Sequence, residues 1–246
     1  MQRRPSASLA HTVGSRRTPL HVPHVVLPTL FPDSLVKTLA EVDWLRETLK
    51  SSALTVASLV PGTFEAYCRV LHPFHQQRDD MAAPPRWRAL AHDLNFTLDD
   101  TAALFDVRES LAMDYYVEAG SLSAEHTAVV IERLEPATST PQECTFAVWD
   151  GYGNSRQARP TATELILPGR RYYAWPGSIT EAAVTTSQSA SIWRGANLWW
   201  PRDHAWCVAS DVDFIWTYIG GSALLIDALL SDERIDSVRV LANISR

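Results

Sequence analysis

The amino-acid sequence predicts an α+β protein with a mainly antiparallel sheet in its C-terminal half and helices from its N-terminal half packed on one face. Before residue 136 the apolar residues recur mostly at the three- and four-residue spacing of helices, and after residue 142 they mostly alternate as in strands. Residues 136–142 (PATSTPQ) between these blocks form a break in composition that could separate two subdomains. We expect a single α+β domain over residues 33–246, because helices and strands segregated along the chain are typical of that class.

The helices are predicted from apolar spacing and capping residues. The first begins near Asp33 or Ser34, either of which is a good N-cap. Its apolar face comes from residues three or four apart: Leu35, Leu39, Val42, Leu45 and Leu49. The same criteria predict four further helices: residues 87–94, 99–111, 123–135 and 222–230. The last of these should have Ser222 as its N-cap.

The strands are predicted from alternation and β-branched or aromatic content. They are expected at residues 54–60, 64–71, 143–150, 164–167, 171–175, 206–214 and 238–241, with a further strand through Trp199 and Trp200. Residues 72–85 are polar and bounded by prolines, which predicts a loop.

Charge is unevenly distributed along the chain. Residues 1–32 contain four arginines and no acid, and we expect them to form a disordered basic arm. The remaining residues carry 18 basic side chains against 28 acidic ones, a net charge of −10. An acidic body argues against nucleic-acid binding, which depends on neutralising phosphates, although the arm by itself could bind an acidic partner. No stretch has the roughly 18 consecutive apolar residues of a membrane span.

Three cysteines, an odd number without a CxxC motif, argue against a disulfide framework and favour a reducing, cytoplasmic location. One of them belongs to a candidate zinc motif, because Cys68, His72 and His75 have the residue types that zinc prefers. The motif is weak, since a fourth ligand would have to come from elsewhere, and a strand-end thiol followed by loop histidines explains the same residues. The sequence predicts no cofactor.

The most informative segment is residues 197–222, which contains four tryptophans and several acids. Within the strand expected at residues 206–214, alternation places Cys207, Ala209, Asp211 and Asp213 on one face. Two carboxylates roughly 7 Å apart could share a metal, divide acid and base roles or bind a cationic ligand. They could equally lie at the solvated end of the strand or cap a turn.

Three other features of this segment are candidate site elements. Asp203 and His204 follow a proline, and His204 could act as a general base or simply belong to a turn. Adjacent strand residues point to opposite faces, so one of Trp199 and Trp200 should be exposed and able to contact a ligand or partner. The run Gly220, Gly221, Ser222 enters a helix whose N-terminal amides could bind a phosphate or carboxylate, but it matches no nucleotide motif and could only turn the chain and cap the helix.

Three stretches together resemble an uncharacterised group of actinobacterial proteins: VPGTFEAYCRVLHP, CTFAVWDGYG and NLWWPRDHAWCVASDVDFIWTYIGGS. The resemblance carries no known activity. In general shape, a helical start followed by a Trp-rich antiparallel sheet is similar to bacterial toxin-immunity proteins of the SMI1/KNR4 superfamily, whose diagnostic motifs are missing here.

These observations favour a binding protein without catalytic activity, immunity-like in type, that holds a protein or ligand on an acidic, Trp-rich surface. The alternative is an enzyme that acts on a small polar substrate in a Trp-lined pocket, with Asp203, His204, Asp211 and Asp213 as acid–base residues.

Overall fold

The structure is a computed structural model that describes residues 35–49, 55–78, 81–153, 162–187, 189 and 192–243, with backbone alone for residues 35–39. These residues belong to one compact unit over residues 31–246. The predicted basic arm, residues 1–32, lies outside the described residues.

Eight strands form one antiparallel sheet, and two short strands form a separate ribbon. The strands in chain order are β1 (Ala66–Leu71), β2 (Phe74–Gln76), β3 (Tyr115–Val117), β4 (Cys144–Trp149), β5 (Thr163–Leu167), β6 (Arg170–Gly177), β7 (Leu198–Pro201), β8 (Cys207–Ser210), β9 (Trp216–Gly221) and β10 (Ser237–Val240). The order across the sheet is β10-β1-β9-β8-β7-β4-β6-β5, and β2 pairs with β3 in the ribbon. The predicted α+β class is confirmed.

Helices cover both faces of the sheet. They are α1 (Leu35–Thr48), α2 (Trp87–Leu94), α3 (Thr101–Ser110), α4 (Ala124–Leu134) and α5 (Ala223–Leu230). Apolar residues of α1, α2 and α3 form a first core on one face, and those of α4 and α5 form a second core on the other. The prediction that the helices pack on one face of the sheet is therefore wrong, because α4 and α5 cover the opposite face from α1, α2 and α3. No helix in the described part of the chain is long and apolar enough to cross a membrane.

Two strand predictions are wrong for local reasons. Residues 56–58 form a short 3-10 turn in place of a strand, since Val56, Leu59 and Val60 are buried together at turn spacing. The strand expected to reach residue 214 ends at Ser210, because the Asp211 carboxylate accepts a hydrogen bond from the Asp213 amide and closes a turn. The strand predicted at residues 64–71 is confirmed over Ala66–Leu71, and it lies between β9 and β10 in the sheet.

Candidate functional site

The tryptophans of residues 197–222 are core residues. Trp199 and Trp200 are 3% and 0% exposed, and Trp206 and Trp216 are fully buried. Trp199 lies in the second core, where it meets Trp206 edge-to-face at 5.5 Å, and Trp200 lies in the first core. The prediction that one of Trp199 and Trp200 is exposed for binding is wrong, because both faces of β7 are covered.

Asp211 and Asp213 are joined by an arginine. Arg170 Nη2 donates to Asp211 Oδ1 and to Asp213 Oδ2, each at 2.7 Å. The Asp211 side chain is buried, whereas that of Asp213 is exposed. The pair therefore already has its cationic ligand, which this chain supplies itself.

Asp203 and His204 lie in the turn between β7 and β8. The Asp203 carboxylate accepts from Thr138 Oγ1 at 2.8 Å and from the Ser139 amide at 2.7 Å. Burial raises the pKa of Asp203, but hydrogen bonds from Ser139 and Thr138 outweigh burial and hold the pKa below its ordinary value. His204 stacks on Trp44 at 3.8 Å and its Nε2 lies 2.8 Å from Glu41 Oε2, which fixes the turn to α1.

The predicted four-residue catalytic site does not form. Asp203 and His204 precede β8, whereas Asp211 and Asp213 follow it, so a strand of four residues, roughly 13 Å long, separates the two pairs. Each pair is also held by hydrogen bonds or ion pairs to other parts of the chain. The sequence places these residues close together, but β8 carries them to opposite ends of the sheet.

The predicted anion site at the start of α5 is filled by this chain. Ser222 caps the helix as expected, with its Oγ accepting from the Leu225 amide at 3.2 Å. The Glu65 carboxylate accepts from the Ala223 amide at 2.9 Å. Gly220 and Gly221 are strand residues against which neighbouring side chains pack closely. A carboxylate of the fold thus takes the position that a ligand would need.

The residues of the weak zinc motif occupy three different environments. Cys68 lies in the second core, where burial raises the pKa of its thiol to about 12. His72 is buried with both ring nitrogens hydrogen-bonded, and His75 is half-buried in the ribbon. Among the described residues, no group of three or more potential ligands could hold a metal ion.

His72 connects the ribbon to the sheet. Its Nδ1 lies 2.7 Å from the Glu118 carbonyl, which can only accept, so Nδ1 carries the proton. Burial lowers the pKa of His72 to about 4, and the neutral ring therefore accepts at Nε2 from Thr217 Oγ1 at 2.9 Å. Ser210 Oγ donates to Thr217 in turn, at 2.6 Å. This relay fixes the end of β3 to β9 and β8.

The outer side of the ribbon carries a group of exposed polar and aromatic side chains. Tyr116 in β3, Asp114 in the turn just before it and Glu118 just after it are exposed, whereas Val117 is buried in the first core. The Gln77 amide donates to the Asp114 carbonyl, which extends the ladder by one pair. His75 is opposite Tyr116 in the register, and the two rings stack at 5.2 Å. We call His75, Asp114, Tyr116 and Glu118 the ribbon face.

The ribbon face belongs to the most acidic part of the chain. Residues 92–118 contain seven acidic side chains and one arginine, a net charge of −6. Within the described residues, no ion pair joins Asp106, Glu109, Asp114 or Glu118 to a basic side chain. Tyr116 is 40% exposed, and Met113 next to Asp114 is 86% exposed.

The sequence pattern does not reveal this site, because β3 is only three residues long. The alternation in DYYVE (residues 114–118) was the available signal, but it was too short to distinguish from a loop.

No family model, curated protein or solved structure matches the chain. The resemblance to an actinobacterial group and to immunity proteins therefore stays a prediction.

Proposed function

We propose that this protein is a binding protein without catalytic activity that holds a basic segment of a partner protein on the ribbon face. The observation that carries the proposal is the exposed Tyr116 ring with an exposed carboxylate, Asp114 or Glu118, two residues away on either side. The proposal keeps the predicted acidic binding surface and replaces the buried Trp199 and Trp200 with Tyr116.

The charges of the surface favour a basic occupant. Like charges along residues 92–118 repel one another, and a basic partner relieves this repulsion while being attracted from a distance. Tyrosine and methionine are enriched at protein interfaces, so Tyr116 and Met113 supply apolar contact beside the charges. A partner with Arg or Lys side chains fits this composition, whereas nucleic acid would be repelled.

The ribbon is held in a way that suits a preformed surface. Its buried side packs Phe74 and Val117 into the first core, and the His72 relay ties its end to the sheet. A rigid surface loses less entropy on binding than a flexible loop does. An immunity-like role, in which the basic partner is a toxin domain, is one form of this function. The three free, buried cysteines are compatible with a cytoplasmic location.

The proposal can be tested with a synthetic peptide in place of the unidentified partner. We expect a fluorescent 12-residue peptide of alternating glycine and basic residues to bind the protein in a salt-sensitive manner, measured by anisotropy. The NaCl concentration is varied between 50 and 300 mM, which changes the Debye length about 2.5-fold. Asp114→Asn with Glu118→Gln should weaken binding roughly tenfold, because both carboxylates of the ribbon face lose their charge.

The matched control is Glu47→Gln with Glu135→Gln, which removes two exposed carboxylates from α1 and from the end of α4. This variant has the same net charge as the first and should bind within about twofold of the wild type. Equal weakening in both variants would mean that the peptide responds to overall charge, and the ribbon face would lose its role.

A further inference from the structure

We infer that the ribbon face selects arginine over lysine in its partner, with the guanidinium stacked on Tyr116 and hydrogen-bonded at its edge to Asp114 or Glu118. The inference rests on the proposed function and specifies the side chain that the face recognises. It follows from the arrangement of one aromatic ring between two carboxylates.

The side chain of Tyr116 stacks on one neighbour and is still partly exposed to solvent. His75 stacks on it at 5.2 Å with an interplanar angle of 28°. Because Tyr116 is nevertheless 40% exposed, its remaining surface is open to a ligand. Asp114, in the turn before β3, and Glu118, just after β3, are each two residues away along the chain, at most roughly 7 Å, so a group on the ring lies within side-chain reach of either carboxylate.

The same chain contains a related arrangement, an aromatic ring beside two carboxylates, with its arginine in place. Arg170 lies over the ring of Trp149, with its Cζ 5.4 Å from the ring centroid, and donates to two carboxylates that are two residues apart. Arg194 lies over Tyr152 in the same manner, at 3.8 Å. At the ribbon face, an aromatic ring and two carboxylates two residues from it are present, and none of the described residues supplies the cation.

Arginine satisfies both parts of this arrangement at once. A planar guanidinium can lie flat on an aromatic ring while its N–H groups, which point outward in the same plane, reach a carboxylate. The ammonium of lysine is a strongly hydrated point charge that cannot stack and donate in two directions in this manner. The preference for arginine over lysine should therefore depend on the Tyr116 ring. The attraction of either cation should depend on the carboxylates of Asp114 and Glu118.

The test compares two peptides of equal charge and length, one with arginine and one with lysine at every basic position, by anisotropy at one salt concentration. We expect the wild type to bind the arginine peptide at least about fivefold more tightly. Tyr116→Leu should reduce this ratio to about one while binding stays salt-sensitive, and Tyr116→Phe, which keeps the ring, should preserve the ratio.

The two proposals fail in different ways. If both peptides bind the wild type equally and the Asp114/Glu118 variant weakens both, arginine selectivity is wrong and the proposed function stands. If neither peptide binds, both proposals are wrong. If the ratio survives in Tyr116→Leu, a residue other than Tyr116 sets the preference and the inference fails. Circular dichroism of each variant identifies any loss of folding.

Discussion

At the scale of single residues, His72 shows how burial decides a side chain's role. In the sequence it belongs to a spacing that zinc could use. In the fold it is 1% exposed, and its two ring nitrogens are satisfied by the Glu118 carbonyl and the Thr217 hydroxyl. A buried imidazole with both partners in place is a structural link. It stabilises the fold only while the ring stays neutral, because a buried charge would be costly.

His72 therefore predicts a loss of stability in mild acid. Its pKa is about 4 in the folded protein against an ordinary value of 6.5, so between these values the unfolded chain binds more protons. The free energy of unfolding is therefore unaffected by this group above pH 6.5. It falls by about 3 kcal/mol as the pH is lowered from 6.5 to 4. The pKa of His126, which burial also lowers, adds to the effect in the same direction.

Urea denaturation at pH 7.0, 5.5 and 4.5 measures this dependence. His72→Gln should be less stable than the wild type at pH 7, since part of the relay is lost, but its stability should decline less between pH 7 and 4.5. Parallel curves for the two proteins would show that His72 is not the group that titrates.

At the scale of elements, helices and short-range caps follow from local sequence, whereas strand ends and the ribbon do not. Ser222 caps α5 as predicted, and Ser123 caps α4 in the same way, because a cap bonds an amide only three residues away. The ribbon pairs Phe74 with Val117, more than forty positions apart, and such pairing depends on the rest of the fold. Its strands were accordingly missed.

Gly220 in β9 is a second case in which contacts between distant parts of the chain decide which residue fits, and it leads to a testable prediction. A Cβ at this position would lie 2.6 Å from Phe64 and 2.7 Å from Val60. Gly220→Ala should therefore lower the free energy of unfolding by about 2 kcal/mol, because packed side chains must move to admit the methyl group.

Gly195→Ala is the control for this prediction. Gly195 is also buried, but its nearest neighbour would be 3.6 Å from the new Cβ, an ordinary contact. We expect a change within about 0.5 kcal/mol, measured by urea denaturation. A loss in Gly195→Ala as large as that in Gly220→Ala would mean that the cost does not come from the close contacts at Gly220.

At the scale of the whole molecule, the covering of both sheet faces determines which aromatic residues can meet a partner. Adjacent tryptophans in β7 point to opposite faces, as predicted, but each face has its own layer of helices. Tyr116 is exposed instead, and it lies in the ribbon outside the large sheet. The acidic surface and the tryptophan-rich segment are thus separate features.

This architecture predicts that Trp200→Ala acts through stability. Trp200 is fully buried in the first core, so its removal should cost about 3–5 kcal/mol. Tyr116→Ala, at the exposed ribbon face, should cost under about 1 kcal/mol. Thermal and urea denaturation of both variants provide the measurement, and a Trp200→Ala protein as stable as the wild type would contradict the burial of this ring.

The α+β class, the Ser222 cap of α5, most of the strand predicted at residues 64–71 and the acidic charge of the body follow from the sequence alone, because propensity, capping and charge depend on near neighbours or on composition. The tertiary structure alone decided which of the chemically attractive residues share a site. It placed Asp203 and Asp211 at opposite ends of β8, gave Asp211 and Asp213 an arginine from β6, and filled the start of α5 with Glu65. It also exposed Tyr116 beside two carboxylates, since pairing between distant strands sets the direction of every side chain.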